Sequence, residues 1–227
     1  MWNLLIIVFA SYLIGSIPAG VIASRIVRGL DIRGYGSGNT GATNVFRVLG
    51  WKAGLAVALV DFSKGFVSAF WISRLKFPDP EPSIAFLLPI FAGCSAVLGH
   101  IFPLFAGFRG GKGVATWAGV FVALYPLVAP LCLLVFVLTL VLSSFVSLSS
   151  ILTSIALPIF YGLLSGAVPG ARRLSFFIFT CAISLLVLVM HRGNISRLVS
   201  GRESRFDKIW LLARFSRKRK SQDREAP

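Results

Sequence analysis

The sequence predicts an all-α, polytopic integral membrane protein of seven short transmembrane helices, with its N-terminus outside and its C-terminus in the cytoplasm. Three observations carry that prediction. Of 227 residues, 56% are hydrophobic and only 14% charged, against about 25% charged in ordinary soluble domains. The apolar residues gather in runs of roughly 20, the length that crosses a bilayer as a helix. The remaining charge is lopsided, 23 Lys and Arg against 8 Asp and Glu, and sits in a few connecting segments. A disordered chain, a disulfide scaffold and a soluble nucleic-acid binder are excluded, because each needs polar sequence or cysteine that this chain lacks. Cys94, Cys132 and Cys181 fall inside apolar runs without metal-ligand spacing and read as small buried hydrophobes.

The spans follow in order. Asn3 to Ala23 is the first, read as a retained helix because no basic segment precedes it and no small-residue cleavage site ends it. Gly15, Ser16, Pro18, Ala19 and Gly20 within it read as a small-residue packing face, with a kink at the proline. Trp51–Ser73 and Ser83–Phe105 are the second and third, and Leu174–Met190 is the last. Charge decides how the long apolar stretch from Val114 to Ser165 is cut. Segment 24–50 carries Arg25, Arg28, Arg33 and Arg47 against Asp31 alone, and eleven Lys or Arg follow Met190. The positive-inside rule puts both in the cytoplasm. Segment 74–82 balances Arg74 and Lys76 against Asp79 and Glu81 and lies outside. Region 114–173 must then supply an odd number of crossings. Three short ones fit: Val114–Val128, Pro130–Ser143 and Ser150–Leu164. One crossing plus re-entrant pieces is the rival. Arg172 and Arg173 then lie outside, against the rule. The chain reads as a single transmembrane domain, 1–215, with a basic, disordered cytoplasmic tail, 216–227.

Three polar segments fall on the cytoplasmic side. The first runs from Gly34 to Arg47. Gly36, Gly38 and Gly41 match G-x-G-x-x-G, but they follow a membrane helix and no strand, so the match is weak as a dinucleotide fingerprint. Its physics still suits a phosphate. Glycines let backbone N–H groups converge, Ser37, Asn39, Thr43 and Asn44 add short polar groups, and Arg47 adds a bidentate donor. The second holds His100, then Gly110, Gly111, Lys112, Gly113 and Thr116. Gly113 follows Lys112 where a P-loop needs Ser or Thr for magnesium, yet exposed amides, a helix start and an ammonium still form an anion site. The third runs from His191 through Arg192, Asn194 and Arg197 to Gly201 and Glu203. On a helix His191, Asn194 and Leu198 share a face, and Glu203 pairs with an Arg or orients a ligand. Each segment also reads as a plain connector, a charged anchor or an interfacial helix. Asp61 and Lys64 lie three apart inside the second span, where an ionisable pair is either functional or self-neutralising.

Taken together, these segments offer many anion donors, few acid–base groups and no carboxylate cluster. That disfavours magnesium-dependent phosphoryl transfer, and no Ser or Cys nucleophile sits beside a clear base. No metal and no cofactor are expected. The site reads as one that joins two bound reactants, an acyl chain from the bilayer and a small phosphate from the cytosol.

The motifs resemble those of the bacterial acyl-phosphate:glycerol-3-phosphate acyltransferases, the PlsY family. The matching stretches are Gly36-Ser37-Gly38-Asn39 with Gly41, Thr43-Asn44 and Arg47; Asp61 and Lys64-Gly65; Gly99-His100 with Phe102-Pro103; Gly110 through Thr116; and His191-Arg192 through Glu203. They cover most of residues 1–205. The resemblance implies a seven-helix enzyme of the bacterial inner membrane, its active site facing the cytoplasm. It implies transfer of a fatty acyl group from acyl phosphate to the sn-1 hydroxyl of glycerol 3-phosphate, giving lysophosphatidate and phosphate. Ser37, Arg47, Lys112 and His191 would be the catalytic set. Gly36, Gly38, Asn39, Thr43, Asn44, Lys64, His100, Gly110, Gly111, Gly113, Thr116, Arg192, Asn194, Arg197, Gly201 and Glu203 would bind substrate. The expected partners are the two substrates, the lipid bilayer, and acyl-phosphate-producing or downstream lipid enzymes, with no nucleic acid. A transporter or flippase for phosphorylated solutes is the competing class, although no inverted repeat is found. A nucleotide-using lipid enzyme is disfavoured by Gly113 and the missing carboxylates.

Overall fold

The structure, a computed structural model, describes residues 2–75, 85–168 and 170–206. Ten α-helices are described: α1 (Trp2–Gly15), α2 (Ala19–Arg28), α3 (Ala42–Leu49), α4 (Trp51–Phe70), α5 (Leu88–Ile101), α6 (Val114–Leu124), α7 (Val128–Ser143), α8 (Val146–Leu164), α9 (Gly170–Met190) and α10 (Arg192–Val199). Among the described residues, five stretches are long and apolar enough to cross a membrane: Trp2–Arg28, Trp51–Arg74, Ala85–Ala106, Val146–Ala167 and Gly170–Met190. α6 and α7 are apolar but shorter, at 11 and 16 residues. The expected third-span start at Ser83, the charges of Lys76, Asp79 and Glu81, and the tail 216–227 lie outside the described residues. Large apolar side chains such as Leu133, Leu138, Leu142, Ile178 and Leu185 are exposed, as helices facing lipid require.

The chain divides into two compact units, one ending at Ala129 and one starting at Pro130. In the first, α1 packs on α5, α4 packs on α6, and α3 lies along α4. Hydrocarbon gives no hydrophobic drive for helices to associate, so close backbone approach must hold them. Glycine provides it here. A Cβ on Gly15 would overlap the Ala96 carbonyl, and one on Gly65 would overlap the Thr116 carbonyl. Val21, Ile32, Val45 and Val57 form the core that fastens α2, the loop after it and α3 onto α4.

The first span is two helices rather than one. Pro18 has no N–H to continue the ladder, so α1 stops at Gly15 and α2 starts at Ala19. At the break the Ile17 carbonyl accepts both the Ala19 N–H (3.0 Å) and Lys64 Nζ (2.5 Å).

In the second unit α8 packs on α9, and α10 meets both. Two expected boundaries move. The serine patch does not interrupt the chain up to Ser150; only Ser144 (φ +63°) and Phe145 break it, and α8 begins at Val146. Ser149 and Ser150 fit inside the helix because their hydroxyls return to the carbonyls of Phe145 and Val146, each at 2.9 Å. The last helix starts at Gly170, before the expected Leu174. Arg173 belongs to it, and its guanidinium donates to Ser165 Oγ (3.0 Å) and the Gly162 carbonyl (3.2 Å) at the end of α8. Cys132 is buried and Cys94 half-buried, but Cys181 is exposed, on the α9 face that also exposes Ile178 and Leu185.

Candidate functional site

The glycine-rich loop between α2 and α3 is organised by one side chain. Asn44 is buried in the first turn of α3. Its Oδ1 accepts the Ser37 N–H (2.9 Å), and its Nδ2 faces the carbonyls of Tyr35 and Asn39 at 2.9 Å and of Ile32 at 3.4 Å. Expected to meet ligand, Asn44 spends its amide shaping the loop. Asn39 does likewise, its Oδ1 accepting the Gly41 N–H at 2.7 Å. Gly36 (φ +60°) and Gly38 (φ +71°) take the left-handed turns that fold the loop over this amide. Ser37 and Arg47 are exposed, and Thr43 is half-buried.

The second loop follows α5. The Gly110 and Gly111 amides donate back to the carbonyls of Ile101 (3.2 Å) and His100 (3.1 Å). A Cβ on Gly111 would strike the His100 ring, and one on Gly110 the His100 carbonyl. Those glycines are therefore demanded by close packing as well as by any anion. Gly113 (φ +81°) caps α6. Lys112 is half-buried, and Thr116 is fully buried against α4. Lys64 and His100, expected to touch substrate, are 4% and 8% exposed and face Asp61 instead.

These two loops meet on one cleft of about 740 Å³, lined by Gly29 to Asp31, Arg33 to Tyr35, Gly38, Arg109 and Gly110. A smaller, mostly apolar cavity of about 410 Å³ shares Arg33 with it, and Ile17, Pro18, Val21, Ile22, Arg25, Phe105 and Ala106 form the rest of its wall. Arg33 is held bidentate by Asp31 (2.6 and 3.0 Å closest contacts) and donates to the Ala106 carbonyl at 2.9 Å, which ties the first loop to the second. The hydrogen bonds from Arg33 pull the Asp31 pKa down to about 2. Asp31, Arg33 and Arg109 line the cleft but are not among the residues that the sequence marks as binding substrate. In the sequence Asp31 and Arg33 read as topological charge and Arg109 as a basic residue of the second polar segment, although Asp-x-Arg beside glycines is a local ion-pair spacing.

The third segment forms in the second unit as expected. His191 caps α10, is 3% exposed, and its Nδ1 lies 2.9 Å from the Val187 carbonyl. Asn194 Nδ2 donates to Glu203 Oε1 (2.6 Å), and Arg197 Nε donates to Oε2 (2.7 Å). Gly201 (φ +67°) turns the chain back so that Glu203 can reach α10. Burial alone would raise the Glu203 pKa, but the Asn194 and Arg197 donors outweigh it and hold the carboxyl below its usual range. Arg192 is exposed. The expected Glu203–Arg pair is thus present, with Arg197 as its partner.

Helices of membrane-crossing length carrying a polar, arginine-lined cleft define a polytopic membrane protein. A family model described as glycerol-3-phosphate acyltransferase matches residues 5–201. Proteins named glycerol-3-phosphate acyltransferase from Chlorobium phaeobacteroides and Salinibacter ruber are each 43% identical to this chain over 90% of it, and over 97% and 93% of their own lengths. A crystal structure of PlsY (YgiH), an integral membrane glycerol 3-phosphate acyltransferase in its glycerol 3-phosphate form, matches with a TM-score of 0.76 at 38% identity, covering 89% of this chain and 95% of that one. Its lysophosphatidic acid form gives 0.73 at 37%. The chain belongs to the glycerol-3-phosphate acyltransferase family.

Proposed function

We propose that this enzyme transfers a fatty acyl group from acyl phosphate to the sn-1 hydroxyl of glycerol 3-phosphate, releasing lysophosphatidate and inorganic phosphate at the start of phospholipid synthesis. The observation that carries the reading is the meeting of the two glycine-rich loops on one arginine-bearing cleft beside an apolar cavity. That pairing of surfaces suits a phosphate with an acyl chain attached. Family membership supports the acceptor.

Acyl phosphate is a mixed anhydride and already activated, so alignment and charge stabilisation are the main tasks. The hydroxyl oxygen attacks the acyl carbonyl carbon, the bond from that carbon to the phosphate oxygen breaks, and phosphate leaves with the electron pair. In this reading Ser37, Arg47, Gly111 and Lys112 hold the leaving phosphate. His191, Asn194 and the neighbouring arginines hold glycerol 3-phosphate. The hydroxyl proton passes to His191 Nε2, with a substrate phosphate oxygen as the rival acceptor.

The same reading places the enzyme in the bacterial inner membrane with seven crossings, the five long spans plus α6 and α7, within one domain of residues 1–215. The site faces the cytoplasm with the arginines of segment 24–50, as the positive-inside rule requires. The test is purified protein in detergent supplied with acyl phosphate, acyl-CoA or acyl carrier protein conjugate as donor. Phosphate release that needs both acyl phosphate and glycerol 3-phosphate is expected. Turnover with a thioester donor alone overturns the donor assignment. Flux in vesicles without turnover makes the protein a transporter.

A further inference from the structure

Ionisable side chains inside a membrane helix are expensive and need partners. Asp61 and Lys64 on α4 and His100 on α5 are 2%, 4% and 8% exposed. Lys64 Nζ lies 2.7 Å from Asp61 Oδ1, and His100 Nδ1 lies 3.4 Å from the same oxygen. Lys64 also holds the Ile17 carbonyl at the α1–α2 break. One carboxylate oxygen is therefore shared by cations or donors from two helices, and neither amine nor ring is open to a ligand. Apolar residues of similar size would fill such a space without the desolvation cost of charge, so packing alone does not account for the trio.

We propose that Asp61, Lys64 and His100 are positioning residues, which set the Gly110–Gly111–Lys112 backbone for the acyl-phosphate group without touching it; this rests on the donor reading above. His100 is the link. Its carbonyl accepts the Gly111 N–H, and its ring Nε2 is the atom nearest to where a Cβ on Gly111 would stand. The orientation of an imidazole is set by the bond its other nitrogen makes. Asp61 fixes Nδ1, so the Nε2 edge is held against Gly111. Lys64 anchors the Asp61 carboxylate and ties it to the broken first span. Loss of Asp61 releases the ring, shifts the surface on which Gly111 rests, and moves Lys112 with it. A displacement near 1 Å at a reacting group costs about a hundredfold in rate.

The test uses the full-length enzyme in detergent. Asp61→Asn, His100→Ala, His100→Asn and Lys64→Met are compared by thermal unfolding, kcat, and separate KM values for acyl phosphate and glycerol 3-phosphate. Asp61→Asn and His100→Ala are expected to lower kcat/KM for acyl phosphate by about tenfold to a hundredfold while KM for glycerol 3-phosphate stays at the wild-type value. His100→Asn, whose Nδ2 can donate where Nδ1 does, recovers part of the loss. Gly111→Ala is expected to cost less in the His100→Ala background than in the wild type, because the ring it strikes is gone. Variants that lose folded enzyme but keep both KM values make the trio structural and overturn the proposal, as does an equal rise in both KM values. If Asp61→Asn does not fold, the comparison of His100→Asn with His100→Ala decides. Wild-type enzyme that ignores acyl phosphate defeats the donor reading instead, and the same split is then measured with acyl-CoA.

Discussion

His191 Nδ1 sits 2.9 Å from the carbonyl oxygen of Val187, one turn below it on α9. A carbonyl only accepts, so Nδ1 must carry a proton, and the neutral ring keeps its lone pair on Nε2. That is the tautomer a base needs. His191→Asn keeps a donor for Val187 but removes Nε2, and it is expected to lower kcat by about 10²–10⁴ with thermal stability near wild type. Steady-state kinetics with saturating acyl phosphate check it. A raised KM for glycerol 3-phosphate with kcat intact moves His191 to a binding role and the proton to a substrate phosphate.

Glu203 gives a pH signature. Its carboxyl is held below the ordinary value of 4.5 by Asn194 and Arg197. A depressed carboxylate contributes stability that is present above its unfolded pKa and is lost as pH falls through the folded one. Glu203→Gln is expected to destabilise the second unit by about 1–3 kcal/mol at neutral pH, the worth of hydrogen bonds to a charged group. The gap to wild type should narrow as pH falls below the ordinary carboxylate value and close only beneath the depressed folded one. Melting curves in detergent across pH 3 to 8 measure it, and a gap independent of pH counts against the assignment.

Asn44 can be tested by reversing its polarity. Asn44→Asp turns a donor facing three carbonyls into an acceptor, at a site that is 2% exposed. The expected result is faster limited proteolysis within residues 34–41 and loss of most activity, larger than for Asn44→Ala, because repulsion adds to the about 1–3 kcal/mol of unmet buried groups. Damage from Asn44→Ala that exceeds that from Asn44→Asp indicates that only the Oδ1 bond to Ser37 matters, because aspartate keeps that acceptor.

Glycine contacts predict a contrast. Gly65→Ala drives a methyl onto the Thr116 carbonyl, whereas a Cβ at Gly166 meets nothing within 4 Å. The first is expected to cost about 1–3 kcal/mol, as overpacking does, and the second to be within about 0.5 kcal/mol of wild type. Thermal unfolding of the two single variants compares them directly.

Much of this was legible in the residues. Hydropathy placed the long spans, and the glycine-rich runs marked the loops that meet on the cleft, although of the expected site residues only Gly38 and Gly110 line it. The i,i+3 spacing of Asp61 and Lys64 announced their pairing. What escaped were contacts that cross between elements. His100 meets Asp61 from another helix, and no local pattern encodes that. Arg33 binds Asp31 and the far Ala106 carbonyl, yet in sequence it reads as one more positive-inside charge. The start of α8 was misplaced because serine is a poor helix former in water, while here its hydroxyl bonds to its own backbone. Arg173 was excluded from a span by its charge, although its head reaches carbonyl and hydroxyl partners at the end of α8.

The bond from Lys64 to the Ile17 carbonyl also bears on biogenesis. Alone in hydrocarbon, the second span would hold an ammonium with only Asp61 beside it, whereas the Ile17 carbonyl at the break of the first, which also accepts the Ala19 N–H at 3.0 Å, offers Lys64 a further acceptor. The second span is therefore better accommodated in lipid once the first lies beside it, which makes the order of their insertion part of how this enzyme is assembled.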